Sequence, residues 1–192
     1  MEKLISNHNK CGHWSIVHRD TLPNKAWPIK AIWSFKRKRK PDGELLKHKA
    51  RLCAHGGMQQ WGDSYWKTYS PVVNILSIHL ILTISKLHNL DSKAIYFVFA
   101  FPQADLEEDI WMYLPIGFQV NDHTEACSKH SFLLKLNKNL YGLKQGSYNW
   151  YEKLKKFLVD RGFKPSDIDP CLYIGICMII LTHVDDCIIV GP

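Results

Sequence analysis

The chain has 192 residues, of which 46% are hydrophobic and 12% aromatic, and it carries a formal charge of +7 at pH 7. This length allows a sizeable hydrophobic core. The composition excludes a disordered tail, a collagen-like fibre and a low-complexity linker.

The positive charge is concentrated in the first third of the chain. Residues 1–70 contain 14 Lys and Arg against 5 Asp and Glu, a balance of +9, whereas residues 71–192 contain 11 against 13, a balance of −2. A surface with one sign of charge raises the local concentration of oppositely charged partners. We therefore expect the first third to present a surface for a polyanion.

The first predicted element is a basic β-hairpin. Residues 1–13 show no periodic pattern, and we expect a loose tail there. Residues 31–35 and 44–55 are predicted strands, separated by the run Lys36–Lys40 and the turn Pro41-Asp42-Gly43. The turn is predicted because Pro presets φ, the Asp side chain can close an Asx turn, and Gly tolerates a positive φ.

An apolar helix and two strands are predicted next. Asn74 can cap a helix that runs to about residue 88, and because this helix is apolar nearly all round we expect it to be buried. The continuous apolar run 94–101 predicts a central strand, and residues 110–114 predict a shorter one. Residues 119–131 are polar and predict a loop.

A second helix precedes a terminal group of strands. Ser147 can cap a helix over residues 148–161, and Gly162 follows at a position typical of a C-terminal cap. Strands are predicted at residues 171–174, 178–184 and 187–190. Since strands and helices do not alternate as regular βαβ units, the predicted fold class is α+β.

Neither export nor membrane insertion is predicted. Residues 1–10 are polar and lack the apolar run of a secretory signal. The apolar run 72–87 contains several polar residues, and the run 174–181 is too short to span a bilayer. We expect an intracellular protein, cytoplasmic or nuclear, that is not secreted and does not enter a membrane.

The six cysteines do not indicate a structural zinc site, because no pair has Cys-x-x-Cys spacing. We expect isolated buried or surface thiols. The alternative is that Cys11 with His13, or His183 with Cys187, forms half of a metal site.

The sharpest chemical feature is the pair Asp185-Asp186, which follows Val184 between two apolar strands. Adjacent carboxylates repel each other, and burying them without a partner is unfavourable. A divalent cation removes both costs. The alternative is a solvated Asp-Asp turn at the tip of a hairpin, and the two residues alone leave both interpretations open.

Further motifs follow one another along the chain. They are Trp33-Ser-Phe-Lys36, Lys47-His-Lys-Ala-Arg-Leu52, Tyr69-Ser-Pro-Val-Val73, Ala100-Phe101, Leu140-Tyr-Gly-Leu-Lys-Gln145, Trp150-Tyr151, Asp169-Pro-Cys-Leu-Tyr173 and Val184-Asp-Asp186. Their order resembles the reverse transcriptase domain of copia-type LTR retrotransposons, from about Trp14 to the end of the chain. Several motifs in one order are far more specific than any one of them.

The resemblance implies an α+β polymerase palm-and-fingers fragment with an antiparallel sheet flanked by helices. It places a basic fingers hairpin at about residues 30–56 and the palm at about residues 70–192, within a domain covering 14–192. The family copies RNA into DNA by two-metal nucleotidyl transfer, with two Mg²⁺ ions about 3.5–4 Å apart. RNA template, DNA primer and dNTP are the implied partners.

The resemblance also implies roles for single residues. Asp185 and Asp186 match the second carboxylate motif of the family and are the implied metal ligands, with Asp185 the main one. Phe101 matches an aromatic gate that excludes a ribose 2′-hydroxyl. Considered alone, Phe101 is a core aromatic of an apolar strand.

Four other residues match nucleotide-binding or template-binding positions of the family. Gln145 and Gly146 match a motif that packs against the template and the incoming nucleotide. Arg51 and Lys49 match fingers residues that contact the triphosphate, where an arginine fork pairs with phosphate oxygens. Considered alone, Arg51 is a solvated hairpin charge and Gln145 a polar residue at a helix start.

The chain departs from the family at its first carboxylate motif. The family has Asp-x-x-x-Ala-Phe, whereas here Tyr96 stands four residues before Ala100. A phenol is neutral at pH 7 and bulkier than a carboxylate, so it cannot replace one in a Mg²⁺ site. Asp91 and Asp105 are poorly placed to substitute for it.

We therefore expect a reverse transcriptase fragment that has lost or nearly lost polymerase chemistry. The resemblance places the thumb beyond Pro192, so we also expect a truncated copy. The alternatives are a non-catalytic nucleic-acid-binding remnant that uses the basic first third, and a pseudogene product that aggregates because its sheet edges are unpaired.

Overall fold

The computed structural model describes residues 1–120 and 131–192. Residues 121–130 of the loop predicted at 119–131 lie outside the described residues. The described part is α+β, and all its sheet pairings are antiparallel. None of its helices is long and apolar enough to cross a membrane.

Contacts divide the chain into two compact units. The first unit comprises Met1–Lys67 and Asp105–Gly146, and the second comprises Thr68–Ala104 and Ser147–Pro192. Residues 105–146, which the resemblance assigns to the palm, therefore pack with the basic segment. The assignment of fingers and palm to particular residues stays a proposal.

The first unit contains a three-stranded sheet, in which the strand 132–138 lies between the strands 14–18 and 105–113, and a separate two-stranded hairpin. Its elements are α1 (Glu2–Lys10), β1 (Trp14–His18), β2 (Ala31–Arg39), β3 (Leu45–Ala54), β5 (Asp105–Tyr113) and β6 (Phe132–Lys138). Its core is formed by apolar residues that include Ile29, Leu52, Met112 and Leu134.

The expected loose tail is wrong, because residues 2–10 form α1. A helix of this length is marginal by itself, and tertiary packing stabilises it. Ile5 and His8 lie on one face and are buried, and the His8 ring stacks on Trp14 at 4.9 Å between ring centroids. His8 Nδ1 and His13 Nδ1 are 2.8 Å apart.

The hairpin and its turn are confirmed, but the first strand runs to Arg39, so most of the basic run lies within β2 and not at the tip. Asp42 Oδ1 accepts a hydrogen bond of 2.9 Å from Glu44 N, which is the predicted Asx turn, and Gly43 has a φ of +89°. On one face Trp33 stacks with Phe35 at 6.0 Å between ring centroids. The same face includes Leu52, which is buried in the core of the first unit.

The second unit contains a five-stranded antiparallel sheet, with strands in the spatial order 91–96, 186–191, 179–183, 172–174 and 164–165. Its elements are α2 (Ile75–Leu87), β4 (Asp91–Tyr96), α3 (Ala100–Gln103), α4 (Gly146–Val159), β7 (Lys164–Pro165), β8 (Leu172–Ile174), β9 (Ile179–His183) and β10 (Asp186–Gly191). Alternation along β10 directs Cys187 to the side of α4 and Val190 to the side of α2.

The prediction that α2 is buried is wrong. Its bounds and its N-terminal cap are confirmed, since Leu76 N donates a hydrogen bond to Asn74 Oδ1 over 2.9 Å. Ile81 and Ser85 face the sheet and are buried, while the opposite face of the helix is exposed, with Leu76 at 70%. Hydrophobicity all round predicts burial on all sides. Within the described residues this helix has a packing partner on one side only.

The expected central strand at 94–101 is also wrong. The strand ends at Tyr96 and lies at the edge of the sheet, where it pairs with β10 alone among the described strands. The chain then turns at Phe99, whose φ is +55°, and residues 100–103 form α3. A short apolar run does not distinguish a buried strand from a buried helical turn, and here Ala100 is the fully buried residue.

Candidate functional site

The Asp185-Asp186 pair lies at the tight turn between β9 and β10. Val184 has a φ of +52°, a left-handed conformation that is uncommon for a β-branched residue. Asp185 is half-buried and Asp186, the first residue of β10, is exposed. The turn therefore holds two consecutive carboxylates at one end of the sheet.

Two hydrogen bonds fix the backbone of this turn. Trp150 Nε1, on α4, donates to the Val184 carbonyl over 2.7 Å. Phe97 N donates to the Asp185 carbonyl over 2.7 Å, and the Phe97 ring packs edge-to-face on Trp150 with 5.2 Å between centroids. Strained backbone persists where its surroundings hold it, as they do here. The sequence pattern predicts neither of these hydrogen bonds, although Trp150 belongs to the Trp150-Tyr151 motif.

Tyr96 is the residue directly opposite Asp186. The register of β4 and β10 pairs Tyr96 with Asp186, and on the other side β9 pairs His183 with Asp186. Directly opposed residues have Cβ atoms about 4.5–5.5 Å apart. A carboxylate at position 96 would therefore lie beside the Asp pair, but the residue present is a phenol that is 54% exposed.

No other carboxylate takes this place within the described residues. Asp91 is five residues from Tyr96 along an extended strand, a separation of about 16 Å, and pairs with Gly191 at the other end. Asp105 lies in the first unit and forms an ion pair with Lys138. In residues 1–120 and 131–192, no three His, Cys, Asp or Glu side chains converge in a way that could hold a metal ion.

This donor set does not fit two Mg²⁺ ions. A two-ion site needs shared carboxylates that converge from neighbouring strands. Here both carboxylates belong to consecutive residues of one hairpin, and the neighbouring strand contributes Tyr96. Of the alternative half-sites, His13 lies against His8, and neither the Cys11–His13 pair nor the His183–Cys187 pair belongs to a group of three metal-ligating side chains in the part of the chain that the structure describes.

Phe101 lies on the short helix α3, not on a strand as expected. Its ring is half-buried and packs against the cluster that contains Trp150 and Tyr173, in the second unit with the Asp pair. This position is compatible with both predictions for Phe101, an aromatic gate beside the nucleotide and a core aromatic residue. Its role toward a nucleotide stays a proposal.

Arg51 and Lys49 lie on β3, in the first unit, on one face of the hairpin. The register pairs Ser34 with Arg51, Lys36 with Lys49, and Lys38 with Lys47, and opposed residues share a face. We call Lys36, Lys38, Lys47, Lys49 and Arg51 the cationic face.

Two pairs of lysines oppose each other directly on the cationic face. Like charges directly opposite each other destabilise a strand pair. Among residues 1–120 and 131–192, no ion pair involves Lys36, Lys38, Lys47 or Arg51. The face therefore concentrates positive charge at some expense of hairpin stability.

Gln145 is buried inside the first unit and is engaged with other protein groups. Its Nε2 donates to the Ser64 carbonyl over 2.9 Å, and its Oε1 accepts from Gln59 Nε2 over 2.9 Å. Gln59 Nε2 also donates to the Ser64 carbonyl over 3.0 Å, and its Oε1 accepts from Lys144 N over 2.8 Å. Gly146, also buried, is the first residue of α4. The visible role of Gln145 is to hold the loop around Ser64.

The chain is similar to retrotransposon polyproteins. Residues 12–192 match the protein family described as "Reverse transcriptase (RNA-dependent DNA polymerase)". The chain is 36% identical over 196 residues to the "Retrovirus-related Pol polyprotein from transposon TNT 1-94" of Nicotiana tabacum, which covers 100% of this chain and 14% of that protein.

Two further relatives are also transposon polyproteins. The chain is 33% identical over 191 residues to the "Retrovirus-related Pol polyprotein from transposon RE1" of Arabidopsis thaliana, covering 97% of this chain and 12% of that protein. It is 31% identical over 164 residues to the "Transposon Ty1-H Gag-Pol polyprotein" of Saccharomyces cerevisiae, covering 76% and 8%. The chain thus spans about one seventh or less of the length of these relatives.

Proposed function

Since the chain belongs to the reverse transcriptase (RNA-dependent DNA polymerase) family of copia-type retrotransposon Pol polyproteins, we propose that it is a reverse transcriptase domain that binds template and primer but has lost nucleotidyl transfer. The proposal has two parts, a lost metal site in the second unit and a retained nucleic-acid surface in the first. An intracellular site of action, cytoplasmic or nuclear, is part of the proposal.

The single observation that carries the loss of chemistry is the pairing of Tyr96 with Asp186. Two-metal transfer needs oxygen ligands with negative charge from both strands, because the ions must be held close together against their mutual repulsion. A neutral phenol supplies neither the charge nor a bridging pair of oxygens. With Asp185 and Asp186 alone, the turn offers ligands from one strand only.

The cationic face supports retained binding. Lysines and arginines that neutralise phosphates release counterions, which favours binding at low salt and makes it salt-dependent. The template, the primer and the triphosphate are all polyanions, so this face suits each of them. Arg51 adds a planar fork suited to phosphate oxygens.

The chemistry is tested by primer extension and by metal binding. We expect no template-dependent dNTP incorporation by the unchanged chain with Mg²⁺ or Mn²⁺. We expect Tyr96→Asp to bind Mn²⁺ about tenfold more tightly or better, measured by electron paramagnetic resonance, because a second strand now contributes a carboxylate.

The matched control is Tyr96→Phe, which alters the phenol without adding charge and should leave Mn²⁺ binding unchanged. Adding Asp186→Asn to Tyr96→Asp should remove the gain. Template-dependent incorporation by the unchanged chain that Asp185→Asn abolishes would contradict the proposed loss of chemistry. Equal Mn²⁺ affinity of all these variants would contradict the assigned role of Tyr96.

A further inference from the structure

An exposed pair of tryptophans lies on the loop that Gln145 holds. Trp61 and Trp66 pack edge-to-face with 5.9 Å between ring centroids, and they are 71% and 58% exposed. Clustered aromatic surface of this kind is unfavourable in water and marks binding sites when it is exposed. Neither residue belongs to the motifs that carry the family resemblance.

The loop that carries this pair is rigidly built. Gln60 N donates to Ser64 Oγ over 2.8 Å, and Gly62 N donates to the Tyr65 carbonyl over 3.0 Å. Gly62 has a φ of +83°, and the Trp66 ring lies 3.9 Å from the position of a Cβ there.

On the buried side of the loop, the Ser64 carbonyl accepts hydrogen bonds from the side-chain amides of Gln59 and Gln145. A rigid loop presents its side chains at a low entropic cost on binding. The buried hydrogen bonds of Gln59 and Gln145 thus help to fix the position of the exposed pair Trp61 and Trp66.

We propose that Trp61 and Trp66 form a stacking platform for unpaired nucleobases of single-stranded RNA or DNA. This inference rests on the proposed nucleic-acid-binding function and extends it to a second place in the first unit. Indole faces stack on any base, so such a platform binds single strands with little sequence preference.

The loop 59–67 is neutral in itself, with Asp63 and Lys67, but Lys144 and the basic character of the segment that carries the loop favour a nucleic acid over an apolar protein partner. Lys144 Nζ lies 5.2 Å from the Tyr65 ring centroid, and the segment 1–67 carries a balance of +9 from 14 basic and 5 acidic residues. Asp63 is the one acidic residue of the loop 59–67. Aromatic faces beside cations are the usual composition of single-strand binding surfaces.

The test uses the full chain and two labelled oligonucleotides of equal length and charge, one of thymidines and one abasic. We expect the unchanged chain to bind the thymidine strand about fivefold or more tightly than the abasic strand, because stacking of one base on an aromatic ring strengthens binding by at least about this factor. The double variant Trp61→Leu with Trp66→Leu should bind both strands alike, with an unchanged salt dependence.

The matched control is Trp61→Phe with Trp66→Phe, which keeps aromatic faces and should keep most of the preference. The inference is overturned if the unchanged chain binds both strands alike, or if the leucine variant keeps the preference. Salt-dependent binding without base preference overturns the platform alone, whereas no binding to either strand overturns the proposed function as well. Self-association that the leucine variant abolishes, without base preference, would identify a second copy as the occupant instead.

Discussion

Two glycines with nearly the same positive φ differ in what surrounds them. Gly142 has a φ of +91° and Gly43 a φ of +89°. A Cβ on Gly142 would lie 2.2 Å from the Ala54 carbonyl oxygen, whereas a Cβ on Gly43 would meet nothing within 4 Å. Next to Gly142, Ala54 N donates to the Tyr141 carbonyl over 2.7 Å. Gly142 therefore allows the segment 140–145 to pack directly on the end of β3.

This pair supports a matched prediction on stability. Gly43→Ala should cost about 1 kcal/mol, because a residue with a Cβ is strained at this φ. Gly142→Ala should cost clearly more, about 3 kcal/mol or above, because the backbone must also move away. Urea unfolding of both variants measures the difference. Equal costs would show that the close approach at Ala54 relaxes without penalty.

At the scale of the element, the β2-β3 hairpin has competing demands from stability and binding. Its turn and its register favour the hairpin, while the opposed lysines of the cationic face oppose it. Such a conflict is typical of a functional surface, where charge is retained in spite of its cost to the fold.

Lys38→Glu should therefore have opposite effects on stability and on binding. Opposite Lys47 it replaces a repulsive pair with an attractive one, so the free energy of unfolding should rise by about 0.5 kcal/mol. Affinity for an RNA–DNA hybrid should fall. The slope of log K against log salt should decrease by about 1 for each phosphate that the variant no longer neutralises.

The control is Lys164→Glu, which makes the same charge change at an exposed residue of the second unit. We expect it to affect binding less and to leave the hairpin unchanged. If both variants weaken binding equally, net charge is responsible and the cationic face is not a specific surface.

At the scale of the whole molecule, the free energy of unfolding should depend on pH through the buried histidines. Burial, assisted by the charge of His13, lowers the pKa of His8 from 6.5 to about 4. Burial also lowers the pKa of His13, with a contribution from Lys138. Between pH 6.5 and 4 the unfolded chain binds a proton at His8 that the folded chain does not, so stability is lost as the pH falls through this window.

The loss attributable to His8 should reach about 3 kcal/mol at pH 4, since one unit of pKa corresponds to about 1.4 kcal/mol. Chemical unfolding at several pH values measures it. His8→Phe keeps a ring against Trp14 and should flatten the profile in this window by that amount. A profile that His8→Phe does not alter would exclude His8 as its source.

Much of the local structure follows from local signals. The Pro41-Asp42-Gly43 turn, the Asn74 cap, and the strands on either side of Asp185 are confirmed by the structure. Turn residues and caps act through their nearest neighbours, so the sequence contains their whole cause. The proximity of Asp185 and Asp186 could likewise be predicted, because the two residues are consecutive in the chain.

The wrong predictions concern features that depend on contacts between distant parts of the chain. Whether residues 2–10 form a helix depends on Trp14 and the core beneath it, and whether α2 is buried depends on what packs against its outer face. The central strand expected at 94–101 is an edge strand because β10, and no further described strand, pairs with it. Long-range partners are not contained in a window of sequence.

By itself the sequence determined the family, the basic first third and the presence of a tyrosine at position 96, because motif order, charge and residue identity need no coordinates. Only the tertiary structure decided that Tyr96 lies opposite Asp186, that two pairs of lysines oppose each other, and that Gln145 is buried beneath the loop of Trp61 and Trp66. The physical reason is that strand register and burial arise from pairing between distant segments, which no local pattern specifies.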